Sequence, residues 1–194
     1  MSISFLKLAL LAIPSLVQSE MYPNFPSSQP EQPKSQIQLD PGLNSRLFNK
    51  QRFSKIEGFD AKRVEHNSNC VSDFQNKHTI RSCESKQFPD GRIEIFIHDV
   101  SPSSYDNLLI TIVGNQYSCQ YWSAYIHDPK NTIIVWRTTK QNLKLKSLHF
   151  DSTSTIYGYV EFECDHYNLA HPNRMLKPIR IAGFFKSKLN VPRA

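Results

Sequence analysis

The sequence predicts an α+β fold: a short N-terminal helix, then a twisted, mainly antiparallel β-sheet, stapled by disulfides. Three observations carry that expectation. From residue 91 onward, apolar and polar side chains alternate with period two, the signature of half-buried strands. The stretch 60–75 opens on Asp60, a good helix N-cap, and stays helix-tolerant to His66 before Asn67, Ser68 and Asn69 interrupt it. Four cysteines, Cys70, Cys83, Cys119 and Cys164, follow what reads as an export signal, and an even count in an exported chain reads as two disulfides.

The elements follow in order. Residues 1–19 have the form of a signal peptide: Lys7 supplies the positive charge, the run 8–17 is apolar but too short to span a bilayer, and Val17 and Ser19 suit a cleavage site. Residues 20–53 are rich in Pro, Ser and Gln and read as a disordered leader, because so little apolar surface cannot offset the entropy of ordering. Residues 54–194 are expected to form one globular domain with a basic C-terminal extension. Within it, strands are expected at 91–100, 107–113, 116–127, 132–139, 143–150, 155–164 and 178–185. Gly114-Asn115 and the DPKN sequence at 128–131 mark turns, and the alternation slips phase at Ser147, the mark of a bulge. Spacing does not choose among the three possible disulfide pairings; Cys70–Cys83 with Cys119–Cys164 is favoured.

Charge and motif content narrow the function. The net charge is +6, and from His171 onward there are six Lys or Arg and no acid, which suits phosphate or other anionic partners. The cysteine spacing lacks the close pairs of a zinc site, and no Gly-rich phosphate loop or H-E-x-x-H occurs, so no metal and no cofactor is expected. His166 and His171 beside Asp165 read as loop residues. One face of the strand at 91–100 carries Arg92, Glu94, Phe96 and His98, a carboxylate and an imidazole that suit proton transfer at a ribose hydroxyl. Tyr117, Tyr121 and Tyr125 share a strand face, with Trp122 opposite and Trp136 on the next strand. Such rings pack sheets or stack bases. Candidate partner- or RNA-contacting residues are therefore Arg92, His98, Tyr121, Tyr125, Arg137, Lys144 and Lys146.

Three segments in this order, EGFDAKRVEH, GRIEIFIHDV and YWSAYIHDPKNTIIVWRTT, give the chain a resemblance to a family. It resembles small exported fungal proteins, common among powdery-mildew effector candidates, whose fold is similar to guanyl-specific ribonucleases. The likeness covers about residues 58–139. It implies a ribonuclease-like sheet with Glu94 at the catalytic glutamate position. The family's aromatic-x-Cys motif reads Phe59-Asp60-Ala61 here. The expected arginine falls near Ser123 or Ala124, and the expected histidine is replaced by Thr138 and Thr139. With one of three groups kept, Glu94 is vestigial and cleavage is not expected.

The expectation is a secreted, non-enzymatic effector that binds host protein or RNA, monomeric, without stable membrane association, with entry into a host cell left open. The alternatives are an active secreted ribonuclease and an extracellular carbohydrate-binding or structural β-domain.

Overall fold

Period-two alternation turns out to govern far more of the chain than the predicted strands. The computed structural model describes residues 30–43, 53–55, 63–74, 77–100, 104–125, 134–151, 153–168 and 176–191. The signal at 1–19 and the turn at 128–131 lie outside them.

The strands are β1 (Ser35–Gln36), β2 (Gln38–Leu39), β3 (Phe53–Lys55), β4 (Arg63–Glu65), β5 (Cys70–Ser72), β6 (His78–Ile80) and β7 (Ser82–Gln87). They continue with β8 (Ile93–Val100), β9 (Ser104–Val113), β10 (Gln116–Tyr125), β11 (Ile134–Leu145), β12 (Thr155–Asn168) and β13 (Ile179–Asn190). Two antiparallel meanders dominate, β7-β8-β9-β10 and β11-β12-β13. They join where β13 runs parallel to β7 over Leu189↔Ser85 and Asn190↔Lys86. At the far side β1 pairs antiparallel with β10 and β2 pairs parallel with β11. Only Ile37 separates β1 from β2, so one stretch of chain joins both free edges and the sheet curls into a barrel. Closure in this way removes exposed edge strands.

The local causes are plain at the turns. Gly91 (φ +83°) ends the β7–β8 turn, where its N–H donates to the Phe88 carbonyl, and Gly114 (φ +62°) opens the two-residue β9–β10 hairpin. Both angles disfavour any side chain. The interior is filled by alternate residues, among them Ile95 and Ile97, Leu108 and Ile110, Tyr117 and Tyr121, Leu143 and Leu145, Val160 and Phe162, Ile181 and Phe185. Each such side chain contributes roughly 1.5–3 kcal/mol on burial.

The α+β expectation is overturned: there is no helix among the described residues, and the fold is all-β. The described part of the expected helix, 63–74, carries β4 and β5 instead. Asn67 and Asn69 spend their side-chain amides on backbone groups of β7 and β13, contacts that favour an extended chain. The ribonuclease-like layout of a helix packed on a sheet goes with it. The strands expected at 132–139 and 143–150 are one strand, β11. Its register shifts between Thr138 and Lys140, not at Ser147, which lets Trp136 and Thr138 point inward along with Leu143 and Leu145. The C-terminal extension supplies barrel strands β12 and β13. Part of the stretch read as a leader, residues 30–43, carries the strands that join β10 to β11.

The expected disulfides are also overturned. Cys70, Cys83, Cys119 and Cys164 are free and buried. Burial pushes the Cys70 thiol up to about 12 and raises the other three as well. Disulfide exchange proceeds through thiolate, so these sulfurs act as small apolar core groups.

Candidate functional site

The strand holding Glu94 was the first candidate. Its alternate residues do face opposite ways, but both faces of β8 are covered: Ile93, Ile95 and Ile97 on one side, Glu94 and Phe96 on the other. Arg92 Nη1 donates to Glu94 Oε1 at 2.8 Å, and the same guanidinium lies over the Phe88 ring at 4.1 Å. His98 stacks on Phe96 with ring centroids 4.6 Å apart, and Phe96 in turn stacks on Trp122 at 5.7 Å. His98 Nε2 sits 3.5 Å from Glu84 Oε1 and holds that carboxyl below its ordinary value. Glu94 and His98 are four residues apart on one strand, roughly 13 Å at 3.3 Å per residue. A carboxylate that is buried, bonded to arginine and separated from the histidine by Phe96 does not form an acid–base pair with it.

The tyrosines divide. Tyr117 and Tyr121 point into the barrel, and the side chain of Tyr125 lies outside the described residues. Tyr121 meets Trp136 edge-on at 5.0 Å and Phe74 at 6.4 Å, so it has no face for a base. Its hydroxyl donates to buried Asp106, which also pairs with His78 from β6. His166, one of the two histidines read as loop residues, lies on β12 and stacks on Trp136 at 4.8 Å; burial holds its imidazole below the usual histidine range. The sequence reading missed Asp106 because it began that strand at Asn107, three residues after its start at Ser104. Parity places Asp106 on the inward face with Leu108, Ile110 and Ile112. No group of three or more metal-binding side chains occurs among the described residues.

Lys144, Lys146 and Arg137 share the outer face of β11-β12-β13, and this face has two different ends. At one, every long cation has a carboxylate: Arg137 with Asp165 at 3.2 Å, Lys140 with Glu161 at 2.7 Å, Arg180 with Glu163 at 2.8 Å. At the other, Lys144, Tyr159 and Phe184 stand side by side in register. In the next row Lys146, Tyr157 and Lys186 are neighbours, followed by Lys188 opposite Thr155. Tyr159 and Phe184 rings are 4.9 Å apart, and Lys146 Nζ lies 5.4 Å from the Tyr157 ring centre. Residues 143–146, 155–160 and 183–190 contain no acid. Lys144, Lys146 and Lys188 make no ion pair among the described residues. Half-buried rings set among cations can stack flat groups and hold phosphates. The structure thus brings Lys144 and Lys146 together with aromatic partners that the sequence reading had not named, leaves Arg137 at the neutralised end, and places His98 on a different strand, β8, with Arg92 just before that strand begins. Parity over 155–159 and 184–188 was the available signal.

The chain matches no protein-family model, and no curated protein or solved structure is detectably similar to it.

Proposed function

We propose that this is an exported, non-catalytic binding protein that holds single-stranded RNA on the basic, aromatic end of the β11-β12-β13 face. The observation that supports it most is the register of Lys144, Tyr159 and Phe184, with Lys146, Tyr157 and Lys186 in the next row. Successive rows are roughly 6.6 Å apart, close to the spacing of stretched single-strand bases and about twice that of a stacked duplex. Rings on such a platform stack any base, and the lysines take the backbone, so little sequence preference is expected. The export signal supports action outside the producing cell, and an effector role toward a host rests on that signal now that the ribonuclease-like layout is gone.

The test is fluorescence anisotropy with a labelled oligo-uridine. Three phosphate contacts predict a log–log salt slope of about −2, so affinity falls roughly 20-fold between 50 and 200 mM salt. Tyr159→Ala removes a stacking platform worth about 1–3 kcal/mol. Lys144→Glu with Lys146→Glu abolishes salt-sensitive binding. Binding that ignores all three substitutions, or no binding at low salt, ends this reading; RNA cleavage that depends on Glu94 would restore the enzymatic one.

A further inference from the structure

The barrel closes through a seam between β10 and β11. Those two strands do not form a ladder with each other; residues 32–39, the arm, lie between them. Where the arm pairs with neither strand, side chains take over. Gln141 Oε1 accepts the Cys119 N–H at 2.8 Å, while its Nε2 lies 2.7 Å from the Pro33 carbonyl and 2.9 Å from Ser35 Oγ. The Thr138 hydroxyl lies 2.6 Å from Gln32 Oε1 and 2.9 Å from the Cys119 carbonyl, and shares its proton between them. The seam is therefore a lined groove whose β10 and β11 edges accept an extended chain.

The arm's hold on it is thin. Gln36 and Gln38 are exposed, Leu39 is 57% exposed, and only Ile37 is packed against the core. Behind the arm the chain turns sharply: Asp40 Oδ1 accepts the Gly42 N–H, the Leu43 N–H donates to the Asp40 carbonyl, and Leu43 is buried. That turn, carrying exposed Pro41 and Gly42, connects a buried residue to a strand that is mostly exposed.

We propose that the β10–β11 seam accepts the same arm from a second copy of the chain, giving an arm-exchanged dimer in place of the expected monomer. The occupant is argued from what is already seated there. Gln32, Pro33, Ser35 and Ile37 of either copy make the same bonds, so exchange loses no contact. A tethered arm competes at an effective concentration on the order of millimolar, so exchange rises with protein concentration toward that level.

Two variants, each with one added exposed cysteine, read this out. Gln36 and Gln116 are both exposed and face each other across β1 and β10. Full-length Gln36→Cys and Gln116→Cys, one carrying a mass tag, are mixed at about 1 mM, equilibrated and oxidised. Exchange predicts a mixed disulfide at least ten-fold above the self-linked products of either protein alone, fading as the mixture is diluted before oxidation. A mixed product no more abundant than the self-linked ones overturns the proposal. Unchanged thermal midpoints for both variants before oxidation establish that the barrel is intact, and the native thiols, buried, stay out of the reaction.

Discussion

The barrel has two places where its long strands do not zip together along their full length, and it mends them with the same chemistry but very different burial. Between β7 and β13 the mending piece is residues 67–72. Asn67 gives its side-chain amide to the Cys83 carbonyl and takes the Cys83 N–H, both at 2.5 Å, while its own carbonyl accepts Lys186 N–H at 2.8 Å. Asn69 does the same for Phe184 through its backbone N–H and its Oδ1. Between β10 and β11 the mending piece is the arm with Gln141. A carboxamide carries one acceptor and two donors, so it replaces a rung of a β-ladder at either place. The difference is what surrounds it. Ser68, Cys70 and Ser72 are buried, whereas most of the arm faces water. The first seam is part of the core; the second is a latch.

The sharpest way to break the comparison is at Gly183. A Cβ there would stand 2.7 Å from the Asn69 carbonyl oxygen and 2.8 Å from Cys70 N, with Cys70 Cα closer still. All are backbone, in a segment bonded on both sides. Gly183→Ala should cost about 3 kcal/mol, a drop in thermal midpoint of roughly 6–12 °C for a domain of this size. A loss under about 2 °C would show that the 67–72 segment is as loosely held as the arm.

Asn67→Ala comes next. It strips both groups that serve Cys83 without overpacking anything, and leaving a partly buried N–H and carbonyl without partners costs about 2 kcal/mol. Denaturant midpoints at constant slope would measure it.

These two residues also show what was legible in the sequence. Strands β8 to β10, β12 and β13 were, because hairpin turns and strict alternation specify them locally. Parity also put Lys144 and Lys146 on one face. The mending segments were not. Asn67 and Asn69 looked like helix breakers, yet they act as ladder rungs for partners such as Phe184 and Cys83 that lie far away in sequence or have no local signal. Gly183 reads as an ordinary glycine in a strand until Cys70 is seen against it. The polar arm looked unable to order itself, which is true of the arm alone; β10 and β11 supply what it lacks. Cysteine parity misled for a similar reason, since an even count says nothing about where the fold places each thiol, and here all four stand free in the interior. Glu94 was placed on the right strand, but only tertiary packing reveals that it is covered and bonded to Arg92.

Gln141→Ala makes the corresponding cut at the latch. Gln141 touches three partners, Cys119 N, Pro33 O and Ser35 Oγ, but in a part-exposed setting where water replaces it. The global cost should be about 1 kcal/mol, half that of Asn67→Ala. The local effect should be larger. Amide exchange at Ile37 and Asp40, which donate to Asn115 and Leu145 carbonyls, should speed up by about ten-fold or more, while exchange at Lys186 and Asn69 stays unchanged. Equal acceleration at both sites would mean that the seams open together and that the latch is no separate unit.

The smallest effect expected is an acid one, again confined to the latch side. Tyr121 of β10 meets Trp136 of β11 across the upper end of that seam, and Trp136 stacks on His166. Burial lowers the His166 pKa from its ordinary 6.5, although the Asp165 carboxylate next to it works the other way. Above 6.5 neither the folded nor the unfolded chain protonates this imidazole, and it contributes no pH dependence. As pH falls through 6.5 the unfolded chain takes up a proton that the folded one refuses, so stability declines until the folded pKa is reached. His166→Phe keeps a flat ring against Trp136 and removes the proton site. Denaturation midpoints followed through the fluorescence of Trp122 and Trp136 together should fall with acidification in the parent and less steeply in this variant. The parent's loss should track arm amides and not those beside Asn67. If the two proteins lose stability in parallel, the acid response arises elsewhere, and the upper end of the latch does not respond to pH through this ring.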